Sequence, residues 1–175
     1  QRHADAGQLC AQVVVQVACD ARAFFFTQAL FMGEVGGGKG RHAVDVSEEA
    51  IEVARDAVAS QGGVVDFVLA PTQEIPLPDD YATRVVCMEV LEHVDDPSFS
   101  LSEMFRIGQS GALYLLTVPD AIAERVIGGV APSSYFKKPN HIRVIERDEF
   151  EKLVRGAGLE ILKHDYSGFI STFRL

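Results

Sequence analysis

Six β-rich apolar runs alternate with stretches of helical periodicity along this chain, and that alternation limits its fold more than any other feature. The runs lie at 13–18 (VVVQVA), 42–46 (HAVDV), 64–70 (VVDFVLA), 84–88 (RVVCM), 112–118 (ALYLLTV) and 159–164 (LEILKH). Their length and β-branched content predict strands. Between the runs, Phe150, Leu153, Val154 and Ala157 fall at i, i+3, i+4 and i+7, one apolar helical stripe over 147–155 that Gly156 and Gly158 terminate. Ser47 is placed to cap a second helix, with Glu48 and Glu49 at its positive end, Ile51, Ala54 and Val58 on its inner face, and Gln61-Gly62-Gly63 at its close. A third helix is predicted over 97–107, with Pro97 tolerated in the first turn and Phe99, Met104 and Phe105 near the sheet. Strands alternating with helices predict an α/β domain on a doubly wound, mostly parallel sheet.

The 175 residues suit one domain, 1–175, and no internal repeat or Pro- or Ser-rich linker divides them. With 16 Lys plus Arg against 25 Asp plus Glu, the net charge of −9 excludes a nucleic-acid reader held mainly by phosphate neutralisation. The longest apolar runs fall short of the roughly 20 residues of a membrane-spanning helix, so no membrane span is expected. Cys10, Cys19 and Cys87 show no C-x-x-C spacing, which suggests neither a disulfide framework nor a zinc site, and a reducing, cytoplasmic compartment is the expectation. The first residue is Gln and 12–18 lacks the charged start of a secretion signal, so the chain reads as trimmed at one or both ends.

The stretch HAVDV at 42–46, followed by SEEAIEVAR, resembles the second strand and following helix of class I S-adenosylmethionine-dependent methyltransferases, in particular the type 11 group that modifies small molecules and quinones. The segment EIPLPDDYATRVVCMEVLEHVDDP at 74–97 is similar to that family's approach to strand four and the turn beyond it. ALYLLTVP at 112–119 resembles strand five, and RDEFEKLVRGAGLEIL at 147–162 resembles the last crossover helix and strand six. The resemblance covers roughly 42–165 and implies a Rossmann-like sheet with S-adenosylmethionine as cofactor. It places Asp45 at the carboxyl end of strand two, where a carboxylate accepts hydrogen bonds from vicinal ribose hydroxyls, with Val46 beside it. Outside this context such a carboxylate is more often a helix cap. The family's seventh, antiparallel strand is not evident, and 169–175 would be a poor substitute, so the sheet is expected to lack it. If that leaves strand six exposed, a homodimer can form by edge pairing.

Two segments can supply the cofactor loop. Residues 34–40 (EVGGGKG) read as the family's acidic-x-Gly-x-Gly-x-Gly pattern, in which glycines permit close backbone approach. If 31–35 were strand one, however, only 36–41 would precede strand two, and parallel neighbours need a crossover of about a dozen residues. The arrangement that the crossover rule favours puts strand one at 12–18, a turn at 19–22 and a crossover helix at 23–32 with Phe24, Phe25, Ala29 and Met32 inward. Ala18, Cys19 and Asp20 then become the cofactor contacts, although Ala18 and Ala21 stand where the family has glycines and Asp20 would repel the cofactor carboxylate. Counting back from Pro76, the family's adenine-site acid falls on Pro71, which offers neither a carboxylate nor an N–H. Neighbouring Thr72 and Gln73 can bond the adenine edge, or serve as ordinary turn residues.

Methyl transfer from a sulfonium is an in-line displacement that needs alignment and a dry site, with a base only where the acceptor arrives protonated. His93, in EVLEHV, and His141, in KKPNHIR, are the candidate bases, since histidine titrates near neutrality. The bland reading of His93 is a helix-surface residue ordering the loop under the cofactor. His141 lies in the long connection before the last crossover helix, where acceptor contacts are commonly grafted. His3, His42 and His164 receive no role. Glu89 ends strand four and is placed by resemblance to touch the cofactor, while Glu92 orients His93 or faces water. Tyr135 and Phe136 offer an aromatic lid, with Lys137 and Lys138 either attracting an anionic acceptor or simply solvated.

Sequence therefore leads to S-adenosylmethionine-dependent methyl transfer to a small-molecule acceptor. The alternative is a methyltransferase-like binding or regulatory subunit without catalysis, motivated by Ala18, Asp20, Ala21 and Pro71. A nicotinamide dehydrogenase shares the Asp45 logic but lacks a G-x-G-x-x-G after a strand.

Overall fold

The computed structural model describes residues 12–18, 30–32, 40–60, 62–138 and 140–166. Its elements run β1 (Gln12–Ala18), β2 (Leu30–Met32), β3 (His42–Asp45), α1 (Glu48–Ser60), β4 (Asp66–Leu69), β5 (Ala82–Met88), α2 (Pro97–Ile107), β6 (Gly108–Pro119), α3 (Ala121–Gly128), α4 (Arg147–Gly156) and β7 (Glu160–Tyr166). The strands form one sheet in the order β4-β3-β2-β5-β6-β1-β7. Parallel pairing joins β3 to β4, β5 to β6, and β1 to both β6 and β7, whereas β2 is antiparallel to β3 and β5. All six predicted strands are present, and the expected α/β class holds.

The placement of the first strands differs from both sequence readings. β1 stands between β6 and β7, not beside β3, and residues 30–32 extend as a strand where the crossover helix was expected to end. β2 takes the slot between β3 and β5. The chain from Met32 to His42 is too short for a parallel crossover, so β2 runs antiparallel, with Met32 opposite His42. A near-continuous apolar run such as VVVQVA suits a strand flanked on both sides by parallel neighbours. That run, parallel to both of its neighbours, brings the strands of the sheet to seven among the described residues. β7 is one of the two edge strands, opposite β4, and its exposed Lys163 and Asp165 are the kind of charge that blunts edge-to-edge pairing. The C-terminal stretch considered as a substitute strand lies outside the described residues.

Local chemistry fixes the helices. Ser47 Oγ accepts from Ala50 N at 3.2 Å to cap α1, and Gly62, at φ +69°, follows its end. Asp96 caps α2 through Phe99 N at 3.0 Å, with Pro97 at the first helical position. Ser100, Leu101, Met104 and Ile107 form the buried face of α2. Phe99, expected inward, is 54% exposed because it lies about a third of a turn off that face. Phe150 and Val154 of α4 join Leu101, Met104, Val85, Cys87 and Leu116 in the core. Among the described residues no helix is long and apolar enough to cross a membrane.

Gly108, where α2 passes into β6, is a close-approach position. A Cβ there would lie 1.6 Å from the hydroxyl oxygen of Tyr114, whose buried ring fills the space below. Gly108→Ala is expected to lower stability by about 1–3 kcal/mol, read as a shifted denaturant midpoint. Adding Tyr114→Phe should recover part of that loss, and strict additivity of the two changes would show that the predicted overlap is absent.

Candidate functional site

The site is assembled at the carboxyl ends of β5 and β6. Where β5 stops, Glu89 adopts φ +54°, a left-handed conformation that costs a non-glycine residue about 1–3 kcal/mol. It is held there by Thr117 of β6, because Glu89 N donates to both the carbonyl and the Oγ1 of Thr117 at 3.2 Å. The Thr117 hydroxyl in turn donates to Glu89 Oε1 at 2.8 Å. The chain then turns, with His93 N donating to Val90 O at 3.0 Å, and Val90 and Leu91 drop into the core. That anchoring leaves Glu92 only 1% exposed. Neither of its carboxylate oxygens has a hydrogen-bond partner among the described residues. Burial, and secondarily the charge of Glu89, pushes the Glu92 carboxyl well above the usual range, while burial lifts Glu89 to about 7.

Where β6 stops, Asp120 caps α3 by accepting from Ala123 N at 2.8 Å. This start puts Glu124 one turn in and facing inward, 4% exposed. Glu124 Oε2 lies 2.6 Å from His141 Nδ1, and Glu124 Oε1 accepts from the Tyr135 hydroxyl at 3.0 Å. Burial, together with the charge of Glu124, pushes the Tyr135 phenol up, so it stays a donor. The segment bearing Tyr135 and His141 is tied down over the β5–α2 turn. Ile142 N donates to Glu92 O at 3.0 Å, Arg143 donates to the carbonyls of Val94 and Asp95 at 2.7 and 2.8 Å, and Lys138 pairs with Asp95 at 2.6 Å. Lys138 remains a solvated lysine, 63% exposed, with a surface partner in Asp95.

The two candidate histidines come together. The rings of His93 and His141 meet edge to face at 4.7 Å, His141 and Tyr135 stand 5.2 Å apart, and Tyr135 meets Phe136 at 5.0 Å, so four rings form a row. His93 lies on a turn before α2 and is half-buried, not on a helix surface. Glu92 faces the protein interior, and its Oε1 is 3.7 Å from His93 Nε2 and 4.0 Å from His141 Nε2.

Asp45 lies at the carboxyl end of β3, 5% exposed, with Oδ1 accepting from Ser47 N at 2.7 Å. Its carboxyl is raised by burial against the opposing hydrogen bonds of Ser47 and Val46. Val46, just past the end of β3, and Leu69 and Met88, at the carboxyl ends of β4 and β5, are 63%, 58% and 43% exposed. Thr72 is buried, and its hydroxyl is shared with Ser100 of α2 at 2.9 Å, while Gln73 is half-buried beside it.

A family model described as a methyltransferase domain matches residues 27–116. The chain belongs to that methyltransferase family. Among its curated relatives is the ubiquinone biosynthesis O-methyltransferase of Thiobacillus denitrificans, 28% identical over 125 residues, covering 67% of this chain and 53% of that protein. Two solved structures share the fold. A SAM-dependent methyltransferase of Thermotoga maritima has TM-score 0.53 and 26% identity over 67% of this chain and 54% of its own. A SAM-dependent methyltransferase of Aquifex aeolicus has TM-score 0.53 and 21% identity over 86% of this chain and 73% of its own. The chain spans about half the length of the curated relatives it matches.

In this methyltransferase domain the carboxyl edge fits the cofactor that the family implies. A buried carboxylate at the end of β3 suits ribose hydroxyls, and exposed Val46 and Leu69 at the neighbouring strand ends suit a planar base. Ala18 does not share that place. It pairs with Pro119, and its strand stands four positions from β3, roughly 19 Å at ~4.8 Å per strand. Cys19, Asp20 and nearly all of the glycine-rich 34–40 lie outside the described residues. Met32 and His42, which flank the glycine-rich stretch, pair at the end of β3 away from Asp45.

Sequence reading missed Glu124, and with it the carboxylate partner of His141. Its signal was present in PDAIAERVIGG, an Asp cap followed by good helix formers and closed by paired glycines. It likewise gave no sign of a metal site, whereas one oxygen of Glu92 and one ring nitrogen each of His93 and His141 lie within 4.8 Å of one another. That donor set is one a divalent cation such as zinc accepts.

Glu89 binds its proton more tightly in the folded chain, near 7, than at the ordinary glutamate value of 4.5. Its contribution to stability is therefore complete below about pH 4.5 and is lost as pH rises through about 7. Glu89→Gln, which cannot ionise, should melt higher than the parent at pH 8 and differ little from it at pH 4.5. An equal offset at both pH values would rule out a raised Glu89.

Proposed function

We propose that this chain takes the methyl group of S-adenosylmethionine and delivers it to a hydroxyl of a small aromatic acceptor. The reading is carried by the convergence of His141, His93, Glu89 and Glu92 at the carboxyl ends of β5 and β6, on the same edge of the sheet as Asp45. When bound, the cofactor supplies a methyl group on a sulfonium, open to in-line attack. Asp45 and Val46 hold its ribose end, Thr72 and Gln73 stand at the adenine side, and Glu89 closes the site below. The cluster of rings from His93 to Phe136, each set edge-on or tilted to the next, gives the site an aromatic wall against which an aromatic alcohol of the quinone-precursor kind would pack. His141 accepts the hydroxyl proton as oxygen attacks, and the buried surroundings exclude competing water. That a relative is named an O-methyltransferase of ubiquinone biosynthesis supports an oxygen acceptor.

Glu92 favours a second reading of the same cluster. A buried carboxylate whose two oxygens have no partner among the described residues, beside two imidazoles, is suited to a divalent cation, which would lower the acceptor pKa in place of a base. Activity that survives exhaustive chelation would dismiss it.

Calorimetric titration with S-adenosylmethionine and its demethylated product is the first test. The intact chain should bind both, and Asp45→Ala should weaken binding about 10- to 100-fold, the value of one charge-assisted hydrogen bond. His141→Ala should leave that affinity unchanged and reduce turnover of a catechol-like acceptor about 10²- to 10⁴-fold. Failure of the intact chain to bind would remove the cofactor reading. Binding without turnover of any acceptor would favour the non-catalytic subunit.

A further inference from the structure

Glu124 has no part in the roles given so far, yet it is the best-partnered carboxylate of the cluster. Both of its oxygens are engaged, Oε2 at 2.6 Å from His141 Nδ1 and Oε1 by the Tyr135 hydroxyl at 3.0 Å, whereas the oxygens of Glu92 have no partner among the described residues. A neutral imidazole carries one N–H and one lone pair, and the proton settles on the nitrogen that faces the acceptor. Five groups surround His141: Glu124 from α3, Tyr135 from its own segment, Glu92 and His93 from the β5–α2 turn, and Glu89 from the end of β5. Of these, only Glu124 is at hydrogen-bond distance from a ring nitrogen of His141 among the described residues, and that nitrogen is Nδ1. The remaining nitrogen, Nε2, has Glu92 Oε1 at 4.0 Å, beyond hydrogen-bond reach.

We propose that Glu124, locked by Tyr135, is a positioning residue that fixes His141 as its Nδ1-protonated tautomer and so makes Nε2 the atom that takes the acceptor proton. The proposal rests on the reading of His141 as base. In the step it serves, the acceptor O–H proton moves to Nε2 and the oxygen forms a bond to the methyl carbon. The carbon–sulfur bond breaks with its electron pair left on sulfur, and the imidazolium, facing the Glu124 carboxylate, later returns its proton to water. Asp120 contributes indirectly, since its cap sets where α3 begins and so where Glu124 points.

The test uses the full chain with Glu124→Gln and Tyr135→Phe. Long-range proton–nitrogen spectra of the His141 ring should show an Nδ1–H tautomer in the parent and a mixture in Glu124→Gln, whose amide can donate as well as accept. With a catechol-like acceptor, kcat should fall about 10²-fold or more while the S-adenosylmethionine affinity holds. Tyr135→Phe should change the same readouts in the same direction but less, and it keeps the question open to measurement if Glu124→Gln folds poorly. A purely structural Glu124 would lower the melting temperature and leave the tautomer unmoved, and an Nε2–H tautomer in the parent would overturn the proposal outright. If the spectra behave as expected but His141→Ala retains full turnover, the assignment of His141 as base fails while the tautomer control by Glu124 stands.

Discussion

Placing Glu89, Glu92 and Glu124 within one buried cluster is electrostatically costly, because each ionised carboxylate loses water and repels the others. The exits of β5 and β6 meet that cost in different ways. Glu89 leans on Thr117 across the sheet, and its raised pKa lets it shed charge near neutrality. Glu92 has no such support, and burial favours its neutral form. Glu124 has both oxygens engaged, one by the Tyr135 hydroxyl and one at 2.6 Å from His141 Nδ1. The strained backbone at Glu89 belongs to the same arrangement, since a left-handed residue there turns the chain so that Val90 and Leu91 enter the core.

Fold was legible in the sequence wherever a pattern was local. The stripe Phe150, Leu153, Val154, Ala157 and the Ser47 cap appear in the structure as read, because period and cap need only neighbouring residues. Leu30–Met32 was not legible, since three residues carry no period and their state is decided by which slot in the sheet is vacant. The crossover rule was sound physics applied to an incomplete set of options. It excluded a parallel strand just before residue 42, and the structure satisfies it with an antiparallel one.

The candidate site divides along the same line. Asp45, Glu89, His93 and His141 stand at strand ends or in the long connection after β6, places that element order alone identifies. Their mutual arrangement could not be read, because His93 and His141 are 48 positions apart and meet only through the pairing of β5 with β6 and the clamps from Ile142 and Arg143. Whether Glu92 orients His93 or faces water stayed open because burial is a property of the packed turn and not of the motif. The surface partner of Lys138 was not legible because Asp95 lies on a different element.

Charge at this edge also bears on the direction of the chemistry. Binding energy speeds a reaction only when it favours the transition state over the ground state, and methyl transfer removes positive charge from the donor sulfur. Ionised carboxylates close to such a donor would hold the cationic ground state more tightly than the neutral product. Glu89 and Glu92, with their pKa values raised by burial, place less negative charge there at neutral pH than their number suggests. Glu124 stands behind His141 with Oε2 2.6 Å from Nδ1, on the side of the ring away from Nε2. Burial and hydrogen bonding thus give like side chains different places, Glu89 and Glu92 desolvated at the exit of β5 and Glu124 bonded behind the base, a division that no residue in the cluster could establish alone.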